Sequence, residues 1–386
     1  MKKTLIIIMI LLYGCTEDTI YKINPSKFRK KNVLLSEIAE SIDYIPLESR
    51  FFVQHIMKII CADSFLVVAN YPEGLHLYSK KGDFLNKIGK RGNGPGEYQY
   101  GTSFTIDNKN KLIYILDRNN NIFKYDFYNN FLDALPIDHL HGYFRDIEFY
   151  NGHLFLFETI NNGFAKYKWV EIDTTGNTIS IQPNSIPTFE CNIGFRSDCS
   201  YKTENSLVYW DKYNDTIFQI KDENINVRYL WDKWKTRLPR ENITPAQYEN
   251  FYFDPWNIIE SKDFLFIYYY ENKHYCTAFL NKEKEQFYIV NKSKDEDDRY
   301  CGPGFTNDID GGLNFAPMEN YVSPEGEYLI GWEFAYKLKN HVNHESFIHA
   351  KPKFPEKKKE LEKLANSLNE NDNPVLMLVK LKEKND

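Results

Sequence analysis

The sequence predicts an all-β chain folded as a six-bladed β-propeller, closed by strands from its N- and C-terminal ends and carrying short helical inserts. Three observations point there: an aromatic-rich composition, a segment that recurs 47 residues later, and apolar strands left without local partners near both chain ends. The 386 residues include 28 Phe, 28 Tyr and 6 Trp, and flat rings suit the pleated surface of a sheet. A hydrophobic fraction of 42% supplies a sizeable core and excludes wholesale disorder. With 54 acidic against 48 basic residues the net charge is -6, so nucleic acid is not an expected partner.

The first fifteen residues carry an address. Lys2 and Lys3 precede an apolar run from Leu5 to Leu12, which Tyr13, Gly14 and Cys15 close. That run is too short to span a hydrocarbon core of ~30 Å, so it reads as an export signal. The placement of Cys15 resembles a bacterial lipobox, which implies cleavage before a lipid-modified cysteine. The chain then divides into a signal peptide at 1–14, a tether at 15–38 and a propeller at 39–386. Removing the signal takes two lysines and leaves a charge of -8. Thr16, Glu17 and Asp18 resemble the acidic tag with which Bacteroidetes send lipoproteins to the outer face of the outer membrane. The expected address is the cell envelope, as an outer-membrane lipoprotein that is periplasmic or surface-exposed, with the membrane as a partner through the N-terminal lipid.

Self-similarity dictates the architecture. Phe65-Leu-Val-Val-Ala, Leu75-His-Leu-Tyr78 and Phe84-Leu85 reappear 47 residues later as Leu112-Ile-Tyr-Ile-Leu, Ile122-Phe-Lys-Tyr125 and Phe131-Leu132. Each set reads as three strands. The last two are joined by a polar turn, at 79–83 or 126–130, that supplies Gly or Asn where φ must be positive. Looser copies follow at 154–157 and 170–172, at 207–210, 216–220 and 226–230, and at 264–270, 277–280 and 287–290. A sixth, incomplete unit covers 312–316 and 327–331. Six small sheets repeated radially leave only short, protected edges.

The sixth unit lacks outer strands, and the apolar segments Pro374–Leu381 and Ile42–Leu47 are available to supply them. Both are assigned to the last blade, where they close the ring like a clasp. Two inserts read as helices. Thr244 followed by Pro245 is an N-cap with proline in the first turn of a helix over 244–252. Residues 355–368 place Leu361, Leu364 and Leu368 on one face, an amphipathic helix for the propeller rim.

The most distinctive stretch is Ile88-Gly-Lys-Arg-Gly-Asn-Gly-Pro-Gly-Glu-Tyr98, whose four glycines and proline exclude regular strand. Together with Tyr44-Ile-Pro-Leu-Glu48, Asn307-Asp-Ile-Asp-Gly-Gly312 and Asp372-Asn-Pro-Val-Leu376, it resembles the six-bladed β-propeller lipoproteins of Bacteroidetes, relatives of NHL-type propellers. The resemblance spans nearly the whole mature chain. It implies a fold and an address but little chemistry.

Motif chemistry is sparse. The Gly-rich loop has no Gly-Lys-Ser/Thr and no following helix, so it reads as a connection between blades rather than a phosphate cradle. A Gly-x-Ser-x-Gly elbow is also missing, and no catalytic residue is assigned. The acidic run Asp295, Glu296, Asp297, Asp298 and the pair Asp308 and Asp310 offer oxygens that calcium favours. They lack EF-hand spacing, so solvated loops are expected, with calcium as the one cofactor candidate. His341, His344 and His349 read as a surface loop rather than a zinc site. Five cysteines follow Cys15, an odd number. Cys191 and Cys199 either bridge locally or stay free, while Cys61 and Cys276 sit in strand-like surroundings that suit buried thiols.

Loops from several propeller blades converge at the mouths of an axial channel. The Gly-rich loop should carry Arg91, Asn93, Glu97 and Tyr98 toward one mouth, and Asp308 and Asp310 should reach it from the sixth unit. Arg and Tyr are frequent hot spots, and carboxylates accept hydrogen bonds from sugar hydroxyls. These six residues are the candidate ligand site, or else they brace neighbouring blades. The expected function is a binding or scaffold module for a glycan, peptide or envelope protein. The alternative is a propeller enzyme, either a polysaccharide hydrolase or lyase or a metal-dependent lactonase.

Overall fold

The computed structural model describes residues 20–99, 101, 103–158, 164–190, 198–232, 236–294 and 303–383. The chain enters through three strands whose partners come later, β1 (Tyr21–Ile23), β2 (Arg29–Lys30) and β3 (Ala39–Pro46). Five antiparallel meanders follow. Blade 1 holds β4 (His55–Cys61), β5 (Phe65–Tyr71), β6 (Gly74–Ser79) and β7 (Phe84–Ile88). Blade 2 holds β8 (Ser103–Asp107), β9 (Leu112–Asp117), β10 (Asn121–Asp126) and β11 (Phe131–Pro136). Blade 3 holds β12 (Phe144–Tyr150), β13 (His153–Glu158), β14 (Tyr167–Ile172) and β15 (Thr178–Pro183). Blade 4 holds β16 (Asp198–Lys202), β17 (Leu207–Asp211), β18 (Thr216–Lys221) and β19 (Asn224–Trp231). Blade 5 holds β20 (Asp254–Glu260), β21 (Phe264–Glu271), β22 (His274–Asn281) and β23 (Gln286–Ser293).

Blade 6 is composite, with β24 (Glu319–Ser323) and β25 (Gly326–Glu333) followed by β26 (Val375–Leu381) from the C-terminal end and then β3. Strand β26 runs antiparallel to β25, from Glu333↔Val375 to Tyr328↔Lys380, and antiparallel to β3, from Val375↔Pro46 to Leu381↔Ala39. The clasp therefore forms as the leftover apolar segments require. The first strands of neighbouring blades abut in a closed circle, β4 to β8 to β12 to β16 to β20 to β24 and back to β4.

Apolar side chains interdigitate between adjacent sheets. Val67 and Leu77 of blade 1 share a core with Phe104 and Ile115 of blade 2, and Ile59 and Val68 of blade 1 share another with Ile330 and Leu376 of blade 6. The repeat turns take positive φ where the sequence supplies Gly82 (+90°) and Asn129 (+71°).

The tether expected over 15–38 is corrected for its described part. Residues 20–38 form a strap along the rim: β1 lies parallel to β19 of blade 4, β2 parallel to β23 of blade 5, and the chain then enters blade 6. Ile23, Val33, Leu35 and Ile38 are buried, so the strap covers two sheet edges with its own apolar side chains. Such short segments carry too few residues to show a periodicity.

The helix expected over 244–252 is α1 (Pro245–Phe251), capped reciprocally by Thr244 and Gln247. The polar stretch expected as a histidine-bearing loop instead forms α2 (Ala335–Val342) and α3 (Glu345–Ile348), with His344 capping α3. The rim helix is α4 (Pro355–Ser367), burying Leu361 and Ala365. Cys61 and Cys276 are free thiols, half-buried and buried, and burial pushes both up to about 11. Residues 1–19 with Cys15, the run 295–298 and the Cys191 end of the local bridge lie outside the described residues.

Candidate binding face and axial cluster

Inner strands place charge on the propeller axis. An extra residue interrupts the pairing of β4 between Ile56 and Lys58, and that of β12 between Phe144 and Asp146. Such bulges re-aim the side chains that follow. Lys58 Nζ lies 2.7 Å from Glu148 and 3.9 Å from Asp146, and Lys202 of blade 4 lies 3.5 Å from Glu148. Thr105 of blade 2 donates to Glu148 at 3.3 Å, while Ser103 and Ser200 donate to Asp146 at 3.2 and 2.8 Å. Burial opposes the Lys58 ammonium, but Glu148 and Asp146 more than offset it and hold its pKa above the ordinary lysine value. The two carboxylates thus draw groups from blades 1, 2 and 4 onto blade 3.

Glu319 of blade 6 completes the cluster. Burial pushes its carboxyl up to about 8, with Lys58 opposing and Glu148 adding to the rise. Because this folded value exceeds the ordinary 4.5, the group's contribution is full below about pH 4.5 and is lost as pH rises toward 8. Glu319→Gln should therefore gain stability relative to wild type across that interval. Urea midpoints at pH 5 and pH 8 check this, and a constant difference between the two proteins would refute it.

The six residues expected at one mouth occupy two separate junctions. Tyr98 is buried, donates its hydroxyl to the Ile88 carbonyl at 2.7 Å and accepts from the Leu75 N–H at 3.1 Å. A Cβ on Gly89, whose φ is +62°, would sit 2.7 Å from the Tyr98 ring, so glycine permits this close approach. Glu97 folds back over its own loop, accepting from the Gly94 N–H at 2.9 Å and pairing with Lys90 at 2.6 Å. The Asn93 side chain meets that of Gln99, and Arg91 and Asn93 are exposed. In the loop between blades 5 and 6, Asp308 accepts from the Ser36 hydroxyl at 2.6 Å and tethers the strap. Asp310 is buried, accepts from Asn307 at 2.7 Å and from the Gly312 N–H at 2.8 Å, and takes a further bond from Tyr44. Burial raises the Asp310 pKa. Among the described residues no group of three His, Cys, Asp or Glu side chains is arranged to hold a metal ion.

Tyr98→Phe should leave the Ile88 carbonyl and the Leu75 N–H without their partner, costing about 1–3 kcal/mol. Tyr98→Ala should cost about 3–5 kcal/mol. Thermal melts read both, and an unchanged melting temperature in the alanine variant would remove the bracing role.

Strand direction alternates within each blade, so loops from an outer strand to the next inner strand emerge on the same face as loops between second and third strands. On that face the loop at 47–54, joining blade 6 to blade 1, stands between the two junctions just described. Two buried asparagines fix its backbone. Asn373 accepts from the Val53 N–H at 2.8 Å and donates to the carbonyls of Glu48 and Phe51 at 2.9 and 2.7 Å. Asn70 accepts from the Gln54 N–H at 3.0 Å and donates to the Phe52 carbonyl at 2.8 Å. The loop nonetheless turns Phe52 outward, 64% exposed, beside the exposed Tyr71 and Phe51. Asn70 and Asn373 carried no signal of this in the sequence, since their meaning lies in contacts across 16 and 320 positions.

A closed ring of six sheets, with charge at its axis and a face built from loops, defines a six-bladed β-propeller. The chain belongs to the family described as a domain of unknown function, DUF4934, whose model matches residues 18–380. Among solved structures it is similar to a protein of Bacteroides fragilis described as exported, at 18% identity over 95% of this chain and 100% of that one, with a TM-score of 0.68. It is also similar to a member of the duf4221 family from Bacteroides vulgatus, at 12% identity over 92% of this chain and 100% of that one, with a TM-score of 0.49. No curated protein matches the sequence.

Proposed function

We propose that the protein is a cell-envelope lipoprotein, anchored to the outer membrane through Cys15, whose propeller face binds a glycan, peptide or protein partner. The observation that supports binding most directly is the loop at 47–54. Buried polar groups are spent on holding aromatic side chains out to solvent, an arrangement that stabilises a site rather than a core. Arg91 and Asn93 extend the same face from the Gly-rich loop, while Glu97, Tyr98, Asp308 and Asp310 shape it from below. The address draws on the N-terminal sequence and accords with the relative described as exported.

Two measurements test this. Cys15→Ala should abolish metabolic lipid labelling and release the chain from membranes, and a variant still carrying lipid would refute the anchor. On arrays of glycans and peptides, the Phe51→Ala/Phe52→Ala double variant should lose what the parent chain binds. A parent chain that binds neither class would refute the glycan and peptide readings and leave a protein partner as the one remaining form of the binding reading.

One observation favours the enzyme reading. Glu319, its carboxyl pushed by burial up to about 8, shares one axial cluster with the carboxyl groups of Asp146 and Glu148, and an acid and a base require such carboxyl groups in different surroundings. Under that reading the protein degrades a polysaccharide and Glu319→Gln abolishes turnover.

A further inference from the structure

The recess beside Phe52 has a backbone pinned by two buried asparagines and a charge-balanced rim, and from these we infer that it is a binding site for a neutral oligosaccharide. The inference rests on the binding-module reading above and names the ligand class and the residues. The recess holds about 320 Å³ and is lined by Arg50, Phe51, Phe52, Gln54, Pro72 and Glu73. Small-ligand sites start at roughly this size, ~300 Å³.

Charge argues for a neutral ligand. Arg50 is paired with Glu48 at 2.9 Å, and Glu73 with Lys87 at 3.0 Å. Both ion pairs are internal, so the rim offers a free ion or an acidic sugar no uncompensated partner.

Backbone chemistry argues against a peptide strand. Extended peptides are recognised through unpaired main-chain groups of an edge. Here the carbonyls of Glu48, Phe51 and Phe52 and the N–H groups of Val53 and Gln54 are already bonded to Asn373 and Asn70. A protein partner would need about 800 Å² of complementary surface, far more than this recess presents.

The groups left for a ligand are side chains: the exposed ring of Phe52, the ring of Pro72, the carboxamide of Gln54 and the Nη1 end of Arg50, which the pair with Glu48 does not use. A pyranose matches that set. Its C–H face packs on the electron-rich face of an aromatic ring, and its hydroxyls both donate to and accept from planar amide and guanidinium groups. Because the loop is pinned before any ligand arrives, little ordering cost remains for binding.

The test uses the full chain carrying Cys15→Ala, screened on an array of neutral and acidic oligosaccharides beside a peptide array. The strongest glycan is then titrated by calorimetry against Phe52→Ala and Gln54→Ala. The expected result is a neutral oligosaccharide whose affinity falls at least tenfold in Phe52→Ala and severalfold in Gln54→Ala. Melting temperatures should be unchanged, since both side chains are exposed. Glycan binding that survives Phe52→Ala overturns the site and leaves the binding-module reading standing. Glycan hits confined to acidic sugars, or peptides bound in place of glycans, overturn the sugar class alone. Two empty arrays overturn the oligosaccharide site and confine the binding-module reading to a protein partner.

Discussion

Deleting residues 373–386 should abolish cooperative unfolding. The segment contains β26, which is flanked on both sides within blade 6, so its loss leaves β3 without the strand that ties it to β25. Val375, Leu376, Met377, Val379 and Leu381 are all buried, and each large apolar side chain contributes about 1.5–3 kcal/mol on burial. Their sum is comparable to the whole stability of a typical domain, about 5–15 kcal/mol. The deletion also removes Asn373 and with it the bonds that fix the 47–54 loop. Calorimetry should show a broad transition or none in the truncated chain. A sharp transition at the parental temperature would mean that the ring does not depend on its clasp.

The second large effect is expected at Glu260, at the end of the inner strand of blade 5. Its carboxylate is buried and receives Arg228 at 2.5 Å, Lys282 at 2.6 Å, Tyr229 at 2.7 Å and Tyr201 at 2.9 Å. Three of these partners come from blade 4, so one side chain bolts two blades together. Glu260→Ala would strand two cations with little access to water, and breaking such a buried pair costs about 3–5 kcal/mol. Burial alone would raise the Glu260 pKa, but the bonds from Arg228 and the charge of Lys282 bring it down to about 2. The folded value lies below the ordinary 4.5, so this stabilisation is present above about pH 4.5 and is lost as pH falls toward 2. Urea titration at pH 7 should show the full loss, and at pH 2.5 the gap between variant and parent should narrow. A gap that stays constant with pH would refute the charged lock.

The blade count, both clasp strands and two helices were legible because each carries a dense local signal. Phe65–Tyr78 repeats at 112–125, Val375–Val379 is an unbroken apolar run, and Thr244 with Pro245 is a helix start. In blades 1, 2, 4 and 5 the repeat markers fell on the second to fourth strands, where apolar side chains pack between sheets, whereas the sixth unit's 312–316 is a loop ahead of the true inner strand β24. Inner strands such as His55–Cys61 and Phe144–Tyr150 mix charges with apolar residues and carry bulges, which breaks their alternation. Lys58, Asp146, Glu148, Lys202 and Glu319 therefore escaped notice, although they meet on the axis. The Gly-rich loop drew attention because its composition is unusual, yet Gly89 serves a tyrosine packed against it. Phe52 sits in an ordinary-looking stretch, and what marks it is the pairing of its loop with Asn70 and Asn373.

The claim that this face meets a partner is tested most directly by photo-crosslinking in intact cells. A benzophenone amino acid is placed at Phe52 on the face, or at Ile225, which is exposed on the outer strand of blade 4. Illumination should give a discrete adduct from position 52, shifted in mass by a bound glycan or other partner, and none from position 225. Equal labelling at both positions, or none at 52 in cells that display the protein, would contradict a binding role for this face.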